Sequence, residues 1–140
     1  MMYRFSRMFK ILSASRPALS AFLWALLIFV LCATPGRYIP SASWLDLLSF
    51  DKLVHAGIFF VLTALLMFVS FKMGLGQSIR FVYMALAILY GMAMEWMQAN
   101  WFVERSADWM DVVANTLGCL LALLVLKRLK MIYSKWLAMV

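Results

Sequence analysis

The chain has 140 residues, 66% of them hydrophobic and only 14% charged, with a mean hydropathy of +0.92. A soluble domain is nearer half apolar and a quarter charged, and one this small has too little volume to hide so much apolar surface. Composition therefore excludes an ordinary soluble domain and points to a single integral membrane domain over residues 1–140. The net charge of +7 does not make it a nucleic-acid binder, because the basic residues flank apolar runs.

In chain order, a basic head (Arg4, Arg7, Lys10, Arg16) precedes an apolar run over about 17–33. Pro17 suits the first turn of a helix. The exit "LCA" has Leu31 where a cut after Ala33 would need a small residue, so the run is expected to be an uncleaved first span. Further apolar runs follow over about 53–71, 81–102 and 109–126. None alternates as a strand would, and each has the length of a helical span. Between the first two runs, "TPGRYIP" breaks any helix, and Ser43 is placed to cap a short interfacial helix. The link "WFVERSAD" is short, which makes the last two spans a tight antiparallel pair. The tail "KRLKMIYSKWLAMV" reads as a basic amphipathic segment on an anionic leaflet. Trp96, Trp101 and Trp109 suit an outer aromatic belt, and Trp136 an inner one.

Charge sets the expected topology. The head, the link with Lys72 and Arg80, and the tail with Lys127, Arg128, Lys130 and Lys135 carry ten of the thirteen basic residues. Four spans place all three regions on one side, which the excess of lysine and arginine marks as cytoplasmic. The other two links hold Asp46, Asp51, Glu104, Asp108 and Asp111. The expected fold is thus all-α, a bundle of four transmembrane helices with both termini cytoplasmic.

Three segments carry polar stripes in the outer half of this bundle. Asp51 and His55 are four apart, with Lys52 beside them. Glu95 and Gln98 share a face with Gly91. Asp108, Asp111 and Asn115 form a third stripe that continues to Gly118, and Arg105 lies in the turn between the last two. A charge inside lipid costs roughly 2.5–3.5 kcal/mol, so Glu95 should face the bundle interior and meet Lys52, Arg105 or His55. These nine residues define a candidate outward-facing polar pocket, with structural glue between helices as the bland alternative. Cys32 and Cys119 lie inside apolar runs without C-x-x-C spacing and read as inert buried thiols.

"DKLVHAGIFF", "YGMAMEWMQ" and "ERSADWMDVVANTLG" resemble the VanZ-like family of small bacterial membrane proteins. The shared pattern is D-K-x-x-H, G-x-x-x-E-x-x-Q and R-x-x-D-x-x-D-x-x-x-N-x-x-G, covering roughly residues 50 to 120. The resemblance implies a multi-pass protein of the bacterial cytoplasmic (inner) membrane and a link to the cell envelope, through a member tied to teicoplanin resistance. It supplies no reaction and no cofactor.

Three functions are consistent with this sequence. The first is binding of a lipid-linked or peptidoglycan-related envelope ligand through Asp51, Lys52, His55, Glu95, Gln98, Arg105, Asp108, Asp111 and Asn115, with Lys52 and Arg105 on a phosphate. The second is a membrane-embedded enzyme, whose candidate catalytic groups are His55, Glu95, Asp108 and Asp111. The sequence commits to no metal, although carboxylates with one histidine suit magnesium, calcium or manganese more than zinc. The third is an ion path, disfavoured because the cytoplasmic half has no relay of titratable groups.

Overall fold

A computed structural model describes residues 2–38 and 50–138. Among them there is no strand. The elements are α1 (Met2–Ala33), a 3-10 turn (Gly36–Tyr38), α2 (Phe50–Met73), α3 (Gln77–Asn100), α4 (Trp109–Leu124) and α5 (Leu126–Ala138). The interfacial helix expected at Ser43 and the acid Asp46 lie outside the described residues, as does the Trp136 side chain. Three helices are long and apolar enough to cross a membrane: α1 from Ser15 to Ala33, α2 and α3. The apolar α4 has only 16 residues, about 24 Å at 1.5 Å per residue, against a hydrocarbon core of roughly 30 Å.

Helix boundaries depart from the sequence reading where local stops were misjudged. Pro17 lies inside α1 and does not open it. No glycine or second proline precedes it, so nothing upstream stops the helix, and one interior proline costs one hydrogen bond that an otherwise apolar helix tolerates. The α2 helix runs to Met73, where Gly74 (φ 67°) lets the Leu75 N–H reach back to the Ser70 carbonyl at 2.9 Å and the Gly74 N–H to Phe71 at 3.1 Å. This left-handed glycine cap ends the helix cleanly. The third helix stops at Asn100, so Phe102 falls in the turn and not in the span. The fourth stops at Leu124, with a break at Val125 before the basic α5.

The core sits where α2 meets α1, α3 and α4, with α2 packed chiefly on α4. Gly118 fixes that contact: a Cβ there would run into the Ala56 carbonyl oxygen, so the two backbones touch. Gly91 makes room on α3 for Phe59 and the Asn115 amide, each 3.1 Å from where its Cβ would stand. Ile28, Cys32, Phe59, Leu62, Ala87, Met94 and Cys119 fill the interior, and both thiols are free and buried. Two aromatic side chains tie α1 in place: Trp24 Nε1 donates to the Ile58 carbonyl (2.8 Å), and the Tyr90 hydroxyl to that of Ala25 (2.7 Å).

At one end of the bundle the turn after α1 meets the link 101–108. Arg37 donates to Glu104 from its backbone N–H (3.2 Å) and from Nη1 (3.0 Å). Trp96, Trp101 and Trp109 are exposed at this end, the first two in edge-to-face contact at 4.7 Å.

Candidate functional site

The first turn of α2, the last turns of α3 and the first turns of α4 all lie at that same end. Lys52 is the hub. Its ammonium donates to Asp51 Oδ2 (2.8 Å), Asp108 Oδ2 (2.5 Å) and Asp111 Oδ1 (2.6 Å). One ammonium has three N–H groups, so all three are committed to carboxylates. Asp108 serves two elements at once. Its Oδ1 accepts from the Met110 N–H (2.9 Å) and caps α4, while Oδ2 holds Lys52. The ammonium first, and the Met110 N–H second, hold the Asp108 carboxyl below its ordinary value of 3.8.

Deeper in, His55 faces Asp111 and Asn115. Its Nδ1 lies 3.3 Å from Asn115 Oδ1, and its Nε2 lies 3.6 Å from Asp111 Oδ2. Since Asn115 Oδ1 is an acceptor, Nδ1 carries the proton of that bond. The Asn115 amide nitrogen, beside Gly91, has no hydrogen-bond partner among the described residues.

Glu95 is 4% exposed and Gln98 2%. The Asp108 backbone N–H donates to Glu95 Oε2 at 3.1 Å. The Gln98 amide is read with its oxygen accepting from Arg105 (2.6 Å from Nη2, 3.2 Å from Nε) and its nitrogen donating to both Glu95 oxygens at 3.3 Å. The opposite orientation offers one bond of 3.4 Å to the Cys32 carbonyl and sets the amide nitrogen against Arg105, so it is the poorer arrangement.

The nine residues singled out in the sequence thus converge, but with different partners. Glu95 was expected to meet Lys52, Arg105 or His55 as a counter-charge. Instead Lys52 binds the three aspartates, Arg105 reaches Glu95 only through Gln98, and no ion pair to Glu95 forms among the described residues. Lys52 therefore has no N–H free for the phosphate role assigned to it above. The Asp108 main-chain donor was missed altogether, because no side-chain pattern announces a backbone N–H. So was the Arg37–Glu104 clip, whose signal was two opposite charges in links that share a side.

Side-chain exposure falls with depth, from 58% at Asp51 through 24% at Lys52 to 13% at His55 and Asp111. The site is therefore a graded recess, reachable at Asp51 and Asp108 and closed at Asn115. A separate cavity of about 400 Å³ lies among α1, α2 and α3, lined by Phe22, Leu62, Leu66, Leu86 and Tyr90. Its apolar walls suit hydrocarbon, and none of the nine polar residues reaches it.

No protein-family profile matches the chain, and no solved structure does. Among curated proteins, "Uncharacterized protein C11E3.10" of Schizosaccharomyces pombe is 31% identical over 100 residues, 71% of this chain and 60% of that protein. The chain thus covers less than two thirds of that relative's length. None of these comparisons bears on the resemblance to the VanZ-like family.

Proposed function

We propose that the chain is a four-span, VanZ-like membrane protein whose acid-rich recess, on the outer face of a bacterial cytoplasmic membrane, binds the polar part of a lipid-linked or other envelope ligand. In this reading α4 completes the fourth span, its break at Val125 passing into a basic α5 on the inner leaflet. Both termini are cytoplasmic because the head, the Lys72–Arg80 link and the tail hold most of the lysine and arginine. Envelope association and a connection to glycopeptide (teicoplanin) resistance rest on the motif resemblance.

The observation that carries the binding reading is the imbalance of charge around Lys52. Four acids (Asp51, Glu95, Asp108, Asp111) share the recess with two fixed cations, Lys52 and Arg105. Lys52 is saturated by carboxylates, and Arg105 is engaged by Gln98. Simple helix glue needs no such surplus of acid. The spare acceptors suit amine and hydroxyl groups of a sugar or peptide head, with the ligand's hydrocarbon part left in lipid.

Purified protein in detergent or nanodiscs, titrated with fluorescent envelope lipids bearing amino-sugar or peptide heads, tests this. Wild type should bind, and Glu95→Gln and Asp111→Asn should each weaken binding at least about tenfold, the loss of one charge-assisted contact. Equal binding by all three proteins would leave the recess a purely structural device. Turnover of the lipid, abolished by His55→Ala, would move the site to the enzyme reading.

A further inference from the structure

The innermost part of the recess brings three of the same residues into an arrangement with chemistry of its own. One ligand atom from each of His55, Glu95 and Asp111 lies within 4.8 Å of the other two. The three come from α2, α3 and α4, so they converge by packing and not by proximity along the chain. We propose that they bind a divalent first-row transition cation, of the manganese-to-zinc series, beneath Lys52. This deepens the binding reading and rests on the same site, though not on its ligand.

The spacing fits an ion better than direct contacts. His55 Nε2 and Asp111 Oδ2 are 3.6 Å apart, too far for a good hydrogen bond. Ligands bound at about 2.1–2.4 Å around an octahedral ion stand about 3.0–3.4 Å apart when adjacent and about 4.2–4.8 Å apart when opposed. The 3.6 Å separation, and the 4.8 Å within which all three ligand atoms lie, need a small contraction to reach such a shell.

Each of the three groups also has an outer partner that aims it. The Nδ1–H of His55 is taken by Asn115 Oδ1, which is 2% exposed, so in the neutral ring the Nε2 lone pair faces the carboxylates. Asp111 Oδ1 is held by Lys52 (2.6 Å), leaving Oδ2 turned to His55. Glu95 Oε2 is held by the Asp108 N–H (3.1 Å). Ligands fixed through their far atoms are characteristic of metal sites.

A second and independent indication is charge. Glu95 is 96% buried and has only neutral donors, the Asp108 N–H and the Gln98 amide. A cation between a buried carboxylate, a second carboxylate and an imidazole lone pair would stabilise all three. The imidazole argues against calcium and magnesium, which prefer all-oxygen shells. The two carboxylates and the absence of a thiolate suit manganese, iron or zinc.

The test uses Mn²⁺ alone, added to the full chain in detergent after chelation and with no lipid ligand present. Loss of the free-ion paramagnetic resonance signal should report about one Mn²⁺ per chain. Pulsed measurements should show coupling to a single imidazole nitrogen. Glu95→Gln, Asp111→Asn and His55→Ala should each weaken binding at least about 100-fold, and the positioning variant Asn115→Ala about tenfold. Glu104→Gln, in the exposed clip to Arg37 and outside the recess, should leave it unchanged. Circular dichroism and gel filtration identify any variant that fails to fold, and the nitrogen coupling is read on wild type alone. No Mn²⁺ binding by wild type, or binding without nitrogen coupling, overturns the proposal. Envelope-lipid binding by the chelated protein is measured separately, so the two readings fail independently.

Discussion

The two ends of α2 handle charge in opposite ways. At its first turn Lys52 is drawn inward and satisfied by three carboxylates, one from its neighbour Asp51 and two, Asp108 and Asp111, from the start of α4. At its last, Arg80 of α3 packs against the turn it helps to close, donating to the Leu75 carbonyl (2.9 Å) and the Ser70 hydroxyl (3.3 Å) and lying 4.9 Å over the Phe71 ring. The second arrangement is local: the Arg80 guanidinium meets a carbonyl, a hydroxyl and a ring, with no acid among these partners. The first is long-range and leaves acid to spare. Arg80 is satisfied by one carbonyl, one hydroxyl and a ring, and the surplus of acid at the other end is what the proposed ligand or ion would meet.

Gly118 should matter most to this contrast, because it sets the α2–α4 approach on which the polar end depends. Gly118→Leu should cost about 3 kcal/mol of stability in detergent, as overpacking against immovable backbone, read as a large drop in thermal midpoint. Lys52→Met should come next. It leaves acids from three segments facing one another, and a loss of about 2 kcal/mol is expected, between the values for exposed and fully buried pairs. Arg80→Met, the same deletion at the other end, should cost about 1 kcal/mol, for neutral hydrogen bonds only. Equal losses from Lys52→Met and Arg80→Met would erase the distinction between the ends.

Acid should sharpen the comparison further. The folded-state value of Asp108 lies below its ordinary value of 3.8, owing first to Lys52. A depressed carboxyl contributes stability that is fully present above the unfolded value and is lost as pH falls through the folded one. Wild type should therefore lose stability below about pH 4, and Asp108→Asn should show a shallower loss over that window in pH-dependent thermal melts. The smallest effect belongs to the Arg37–Glu104 clip, whose side chains are 59% and 45% exposed. A double-mutant cycle to alanine should return within about 0.5 kcal/mol.

Much of this organisation was legible in the sequence, and the reasons are physical. Apolar runs located α2, α3 and the second half of α1. The i, i+3 and i, i+4 spacings put Glu95 with Gln98, and Asp111 with Asn115, on single helix faces, whereas Asp108, expected on the second, is the extended N-cap before it. Partner choice was not legible. Lys52 reaches Asp108 and Asp111 where Gly118 lets α4 touch α2 at Ala56, a distance that no one-dimensional pattern encodes. Glu95 is met by a backbone N–H, which every residue carries and none advertises. The Val125 break escaped notice because "LLVLKR" contains neither glycine nor proline.

The account stands on the polar end of the bundle facing outward and the Arg80 end facing the cytoplasm. Matched cysteines at Ser106, in the link beside Asp108, and at Ser78, in the first turn of α3, test this directly. Both serines are exposed, and the native Cys32 and Cys119 are buried. A membrane-impermeant maleimide on intact cells should modify Ser106→Cys at once and Ser78→Cys only after the membrane is opened. Modification of Ser78→Cys in intact cells with Ser106→Cys protected would invert the topology, place the acid-rich recess in the cytoplasm and contradict the proposed function.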